Sequence, residues 1–109
     1  MTNAIVIQCT ASSKDEAQRI ARALLEAKLA ACVSLAAAVE SHYWWKGAIE
    51  SASEVLLLIK TTRERFDAAR EMILKHHTYE VPEIIALPVV TGHKPYLRWL
   101  EESVKKGDS

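Results

Sequence analysis

Two extended segments of unusual length meet at one short turn, and this feature narrows the possible folds most. Cys32 to Trp45 and Ala48 to Thr61 flank the pair Lys46-Gly47. Strands of about a dozen residues each span roughly 40 Å at about 3.3 Å per residue, about twice the usual strand length. In a chain of 109 residues, the distal half of such a hairpin projects beyond a small sheet. Its densest stretch, Val55-Leu56-Leu57-Leu58-Ile59, is apolar at every position, as in a strand covered on both faces. Ala36-Ala37-Ala38 leaves room for a bulge or a helical stretch in the first arm.

The remaining segments fit around this ribbon. Ala4 to Thr10 is short, apolar and β-branched, which predicts a first strand. Ser13-Lys14-Asp15-Glu16 is a capping-box spelling. Ala17, Ile20, Ala21, Leu24 and Leu25 follow at helical spacing, with the helix ending near Lys28 to Ala30. Thr61-Thr62-Arg63-Glu64 repeats the capping-box spelling, and Phe66, Ala69, Met72, Ile73 and His76 give a second helical stripe. Glu83 to Val90 predicts a fourth strand. Pro88 inside it lacks an amide donor, which places this strand at a sheet edge. Pro95 opens a last helix with an apolar side of Tyr96, Leu97, Trp99, Leu100 and Val104. Lys105 to Ser109 forms a polar tail. The order β-α-β-β-α-β plus a helix predicts an α+β, ferredoxin-like split β-α-β sandwich. Its sheet is antiparallel, in the order 4-1-3-2, with residues 1–109 as one domain.

Composition sets limits on function. Charge is balanced, with 14 basic and 14 acidic residues, so no global field draws nucleic acid or an anionic membrane. No stretch approaches the roughly 20 apolar residues of a membrane helix. The first ten residues lack the basic and apolar regions of a signal peptide, which predicts a cytoplasmic protein. Cys9 and Cys32 form no C-x-x-C pair and no disulfide framework. G-x-S-x-G, H-E-x-x-H and P-loop spellings are absent, and the turn Thr10 to Lys14 lacks the Gly and Arg of an oxyanion cradle. RNA-recognition domains share the element order, but their third strand carries exposed aromatics. The equivalent strand here reads Glu54-Val55-Leu56-Leu57-Leu58-Ile59. Neither an enzyme nor a nucleic-acid-binding protein is expected.

Several stretches, taken in order, resemble one family. They are Ala30-Ala31-Cys32-Val33, Ser41-x-Tyr43-x-Trp45-Lys46-Gly47, Glu54 with Lys60-Thr61, His77-Thr78-Tyr79-Glu80-Val81-Pro82-Glu83-Ile84, and Tyr96-Leu97-x-Trp99-Leu100. Each alone is weak, but their order and spacing over nearly the whole chain are similar to the CutA divalent-cation-tolerance family. The resemblance implies a ferredoxin-like fold, a homotrimer, a link to copper or another divalent cation, and no established catalytic reaction. Thr78 stands where members often have Pro. Ser34 and Ala37-Ala38 stand where many carry Asn and a Pro-Gly pair.

In the expected topology, Cys9 at the end of the first strand and His76 and His77 at the end of the second helix reach the same sheet edge. Thiolate with imidazole suits copper or zinc better than magnesium or calcium. The resemblance places ligands of copper-binding members at positions matching Cys9, His76 and His77. Adjacent histidines at a helix end also suit the dipole, and a strand cysteine also serves as a small buried hydrophobe. Neighbouring helical side chains point about 100° apart, against joint binding of one ion. Cys32 starts the second strand at the opposite edge, too far for the Cα spacing of about 7 Å that a disulfide with Cys9 needs.

Tyr43, Trp44 and Trp45 crowd the hairpin end, and a projecting ribbon cannot bury both its faces within one subunit. Contiguous exposed aromatics mark a partner surface, most economically a second and third copy of this chain, with Trp99 on the last helix also in the interface or core. Glu54, Lys60, Tyr79, Glu80 and Glu83 are polar residues in apolar surroundings. They line an intersubunit cleft for a small ligand or ion, or form an intersubunit salt-bridge network. A small-ligand signalling trimer resembling the nitrogen-regulatory PII proteins is the alternative function, on fold-level analogy.

Overall fold

The computed structural model describes residues 1–105, so the expected tail beyond Lys105 lies outside the described residues. The elements are β1 (Ala4–Ala11), α1 (Lys14–Glu26), β2 (Cys32–Trp45), β3 (Ala48–Thr62), α2 (Phe66–His76), β4 (Ile84–Pro88) and α3 (Lys94–Ser103). A 3₁₀ turn, Arg63–Arg65, leads into α2. The sheet order is β2-β3-β1-β4 with every pair antiparallel. This is the expected split β-α-β sandwich with an added C-terminal helix.

Side-chain alternation gives the sheet two different faces. Ile5, Ile7, Cys9 and Ala11 of β1 join Val55, Leu57 and Ile59 of β3 in the main core. Ala17, Ile20 and Leu24 of α1 and Ala69 and Ile73 of α2 cover them. The even-numbered residues face the other way. Ala4, Val6, Gln8 and Thr10 lie opposite Thr62, Lys60, Leu58 and Leu56. α3 packs against β3 and β1 and buries Leu100 and Val104. Ala4 and Thr62, an opposed pair, are buried on the even face outside the main core. On β4, Ile85 and Leu87 lie opposite Gln8 and Val6 and remain exposed.

Local chemistry accounts for the element ends. Ser13 Oγ accepts the Glu16 amide at 3.1 Å, capping α1. The helix closes with Lys28 at φ 57°. The Lys28 amide donates to Leu25 O and that of Leu29 to Leu24 O, the bond pair of a Schellman stop. Lys46 and Gly47 both have positive φ, 50° and 82°, as the two-residue turn matching strand twist requires. The alanine run forms a bulge, with the β2–β3 register shifting between Ala37 and Val39. The second capping box does not form. Thr61 stays in β3, buried, and its Oγ1 finds no partner among the described residues. Glu64 instead accepts from Asn3 Nδ2 at 2.8 and 3.0 Å. β4 is shorter than expected, though Thr2 and Val89 extend the ladder: the Thr2 amide donates to Val89 O and the Val89 amide to Ala4 O. Pro88 lies on this edge strand.

Candidate functional site: a carboxylate-lined cleft

The site begins at a carboxylate that the helical periodicity hides. Glu16 lies in line with Ile20 and Leu24 at intervals of four, so the face that seats α1 also buries Glu16, leaving it 2 % exposed. One carboxylate oxygen accepts from the Ser12 amide at 2.8 Å and the Ser12 hydroxyl at 2.7 Å. The other accepts from the Thr78 amide at 2.7 Å. Burial alone raises the Glu16 carboxyl, but the hydrogen bonds from Thr78 and Ser12 outweigh it and hold the group at about 2. Glu16 thereby ties the start of α1 to the loop after α2.

His77 makes the next tie. Its Nε2 lies 2.7 Å from Thr10 O, and a carbonyl only accepts, so Nε2 carries the proton. Its Nδ1 accepts the Tyr79 amide at 3.1 Å. Tyr79 packs on the imidazole, with ring centroids 4.7 Å apart, and its hydroxyl donates to Glu54 Oε2 at 2.6 Å. Burial, then the Glu54 carboxylate, push the Tyr79 phenol up. Gln8 Nε2 donates to Glu83 Oε2 at 2.9 Å. The segment from His77 to Glu83 is therefore pinned to α1, β1 and β3.

This pinned segment and the hairpin flank an open cleft of about 670 Å³. Tyr79, Glu80, Val81, Pro82 and Glu83 form one wall, Ser41 to Trp45 the other, with Thr10 and Glu54 between them. Among the described residues, three carboxylates line it and no Lys or Arg does. Of the polar cluster expected from sequence, Glu54, Tyr79, Glu80 and Glu83 come together here. Lys60 does not: its Nζ donates to Ser34 Oγ at 2.5 Å and lies 3.8 Å from Cys32 Sγ, across the β2–β3 ladder. Tyr43, Trp44 and Trp45 line the cleft and are exposed. Trp99 sits away on α3, tilted against Tyr96 at 5.5 Å.

The strand end bearing Cys9 and the helix end bearing His76 and His77 reach one rim, where His77 holds the carbonyl next to Cys9, but the donors of Cys9 and His77 are not free for an ion. Cys9 points into the core with no exposed surface. Burial, then Glu83, Glu16 and Glu54, push its thiol up to about 12, away from the thiolate that a metal needs. Both ring nitrogens of His77 are engaged within the chain. His76 ends α2, its carbonyl accepting from Arg19 at 3.3 Å. Among the described residues, no three His, Cys, Asp or Glu side chains gather closely enough to hold an ion. As arranged here, Cys9, His76 and His77 do not fit a copper site. Sequence reasoning missed Glu16, Thr10 and His42. Only Glu16 carried a signal, its place in the Ile20–Leu24 row.

A family profile described as CutA1 divalent ion tolerance protein matches residues 5–103. Protein CutA 1, chloroplastic, of Oryza sativa subsp. japonica is 41 % identical over 102 residues, covering 94 % of this chain and 58 % of the rice protein. This chain thus spans less than two thirds of that relative's length. The divalent-cation tolerance protein CutA of Archaeoglobus fulgidus is 43 % identical over 99 residues, covering 91 % of this chain and 96 % of its own. The crystal structure of CutA from Xylella fastidiosa matches with a TM-score of 0.93 at 35 % identity, covering 95 % of this chain and 100 % of that one. With this profile spanning nearly all of its sheet and helices, the chain belongs to the CutA1 divalent ion tolerance protein family.

Proposed function

We propose that this protein is a non-catalytic, cytoplasmic divalent-cation tolerance protein that works as a homotrimer and takes copper or another divalent cation at its cleft. The observation that carries it is the lining: Glu54, Glu80 and Glu83, with no Lys or Arg among the described residues. Such a lining favours positive charge. His42 lines the cleft as well, and oxygen and imidazole donors suit divalent first-row metals, but among the described residues they do not converge closely enough to hold an ion within one subunit. The names of the relatives support the cation. Support for the trimer comes from apolar surface one subunit leaves open: Ile85 and Leu87 on the even face, and Tyr43, Trp44 and Ile49 on the ribbon. A small-ligand signalling alternative of the PII kind, tried with a nucleotide, finds no cationic partner for phosphate in this cleft among the described residues.

Titration calorimetry with copper(II) and zinc(II) tests the cation. We expect the double variant Glu54→Gln/Glu83→Gln to weaken binding about tenfold or more, as loss of charged ligands does. Cys9→Ala, whose thiol faces the core, should leave the affinity unchanged. The opposite pattern moves the ion to the thiol–imidazole rim, and wild-type protein that takes neither ion sinks the cation reading. Light scattering tests the assembly, expected at three subunits of 12.2 kDa each; a lone subunit overturns it.

A further inference from the structure

Cys32 and Lys60 take no part in the cleft, yet the fold brings them together. They are direct partners in the β2–β3 ladder, and opposed residues of a ladder hold their Cβ atoms about 4.5–5.5 Å apart on one sheet face. Lys60 Nζ lies 3.8 Å from Cys32 Sγ and donates to Ser34 Oγ at 2.5 Å. Among the described residues no carboxylate pairs with this ammonium, so no ion pair draws it away from the sulfur. Cys32 is half-buried and lies outside the main core. Cys9 is its opposite within the same chain. That thiol has no exposed surface and donates to Thr10 O at 3.7 Å.

We propose that Cys32 and Lys60 are an oxidisable pair, which hydrogen peroxide joins in a reversible sulfur–nitrogen cross-link. In the first step the Cys32 sulfur attacks the peroxide. An S–O bond forms, the O–O bond breaks and water leaves, giving a sulfenic acid. Sulfenic acids condense with a nearby thiol or nitrogen, and the nitrogen in reach is Lys60 Nζ. Lys60 gives one proton to solvent and its nitrogen attacks the sulfur. The S–N bond forms, the S–O bond breaks, and the oxygen departs as water with a second proton from the nitrogen. Sulfur loses two electrons and the peroxide gains them. A dithiol reverses the change by attacking the sulfur, which restores thiol and amine. The cross-link ties the start of β2 to the end of β3 and closes the ribbon at its open end, so it restricts the unfolded chain as a disulfide does. It needs neither the cation nor the trimer.

The test treats the folded full chain with hydrogen peroxide, without metal, and maps its peptides by mass spectrometry. One product should join the Cys32 and Lys60 peptides, lighter than their sum by two hydrogen atoms, and dithiothreitol should abolish it. Cys9 should stay a free thiol under the same exposure. Lys60→Met and Lys60→Arg should give no cross-link, and their Cys32 should pass on to sulfinic acid instead. Both side chains lie outside the main core, so these variants keep the fold, which circular dichroism checks. Cross-linked wild type should melt higher than its reduced form and return to it with dithiothreitol, whereas oxidised Lys60→Met should show no rise. Absence of the joined peptides, a cross-link that survives dithiothreitol, or sulfinic acid forming at Cys32 as fast in wild type as in Lys60→Met overturns the inference. So does oxidation at Cys9 ahead of Cys32.

Discussion

At the scale of single residues, Glu16 has more work than a helix cap gives it. Its ordinary value is 4.5 and its folded value about 2, a depressed carboxyl whose bonds to Ser12 and Thr78 exist only in the native chain. Its stabilisation is therefore complete above pH 4.5 and drains away as pH falls toward 2. The difference is on the order of 3 kcal/mol. Urea unfolding of Glu16→Gln at neutral pH, and again at the acid end of that window, checks this. The variant should be markedly less stable at neutral pH and close to wild type in acid. A gap that does not shrink with acid refutes the assignment. The capping role was legible in Ser13-Lys14-Asp15-Glu16, because a cap is a local spelling. The partner at Thr78 was not, because it comes from a loop 62 residues away. Cys9 shows the converse. Its position on β1 was legible, but alternation alone did not say which sheet face holds the helices, and that face decides between ligand and core.

At the scale of elements, local rules succeed where one element decides and fail where two compete. The Lys46-Gly47 turn, the Lys28 stop and the edge position of Pro88 each follow from backbone chemistry at one place. The capping box at Thr61 fails because β3 keeps pairing through Thr62, and the ladder wins over an early helix start. The cost is a buried Thr61 hydroxyl without a partner. Replacing it with an isosteric apolar side chain removes that cost, so Thr61→Val should leave stability equal or raise it by about 1 kcal/mol in thermal or urea unfolding. A loss of more than about 1 kcal/mol means the hydroxyl has a partner after all. Glu54 and Lys60 show how a long strand misleads. Both stand out as polar residues on β3, but six positions of extended chain set them about 20 Å apart, in different surroundings.

At the scale of the whole molecule, the principal dimensions are 45 × 28 × 22 Å, and the ribbon accounts for the long axis. The layered sandwich was legible because strand and helix periods alternate cleanly. The cleft was not, because one wall is the His77–Glu83 loop, which has no period, and the other is a hairpin 30 or more residues away in sequence. The far end of that hairpin, from Tyr43 to Glu50, is exposed at every position. It keeps its ladder with β2–β3 bonds and one tight turn, yet none of it reaches the interior. A ribbon so placed draws its rigidity from whatever lies alongside. If the neighbours are further copies, stability becomes a property of the solution as well as of the sequence. Calorimetric scans on serial dilutions should then show the melting point sliding downward as the protein thins out, and a value indifferent to dilution means each chain stands alone.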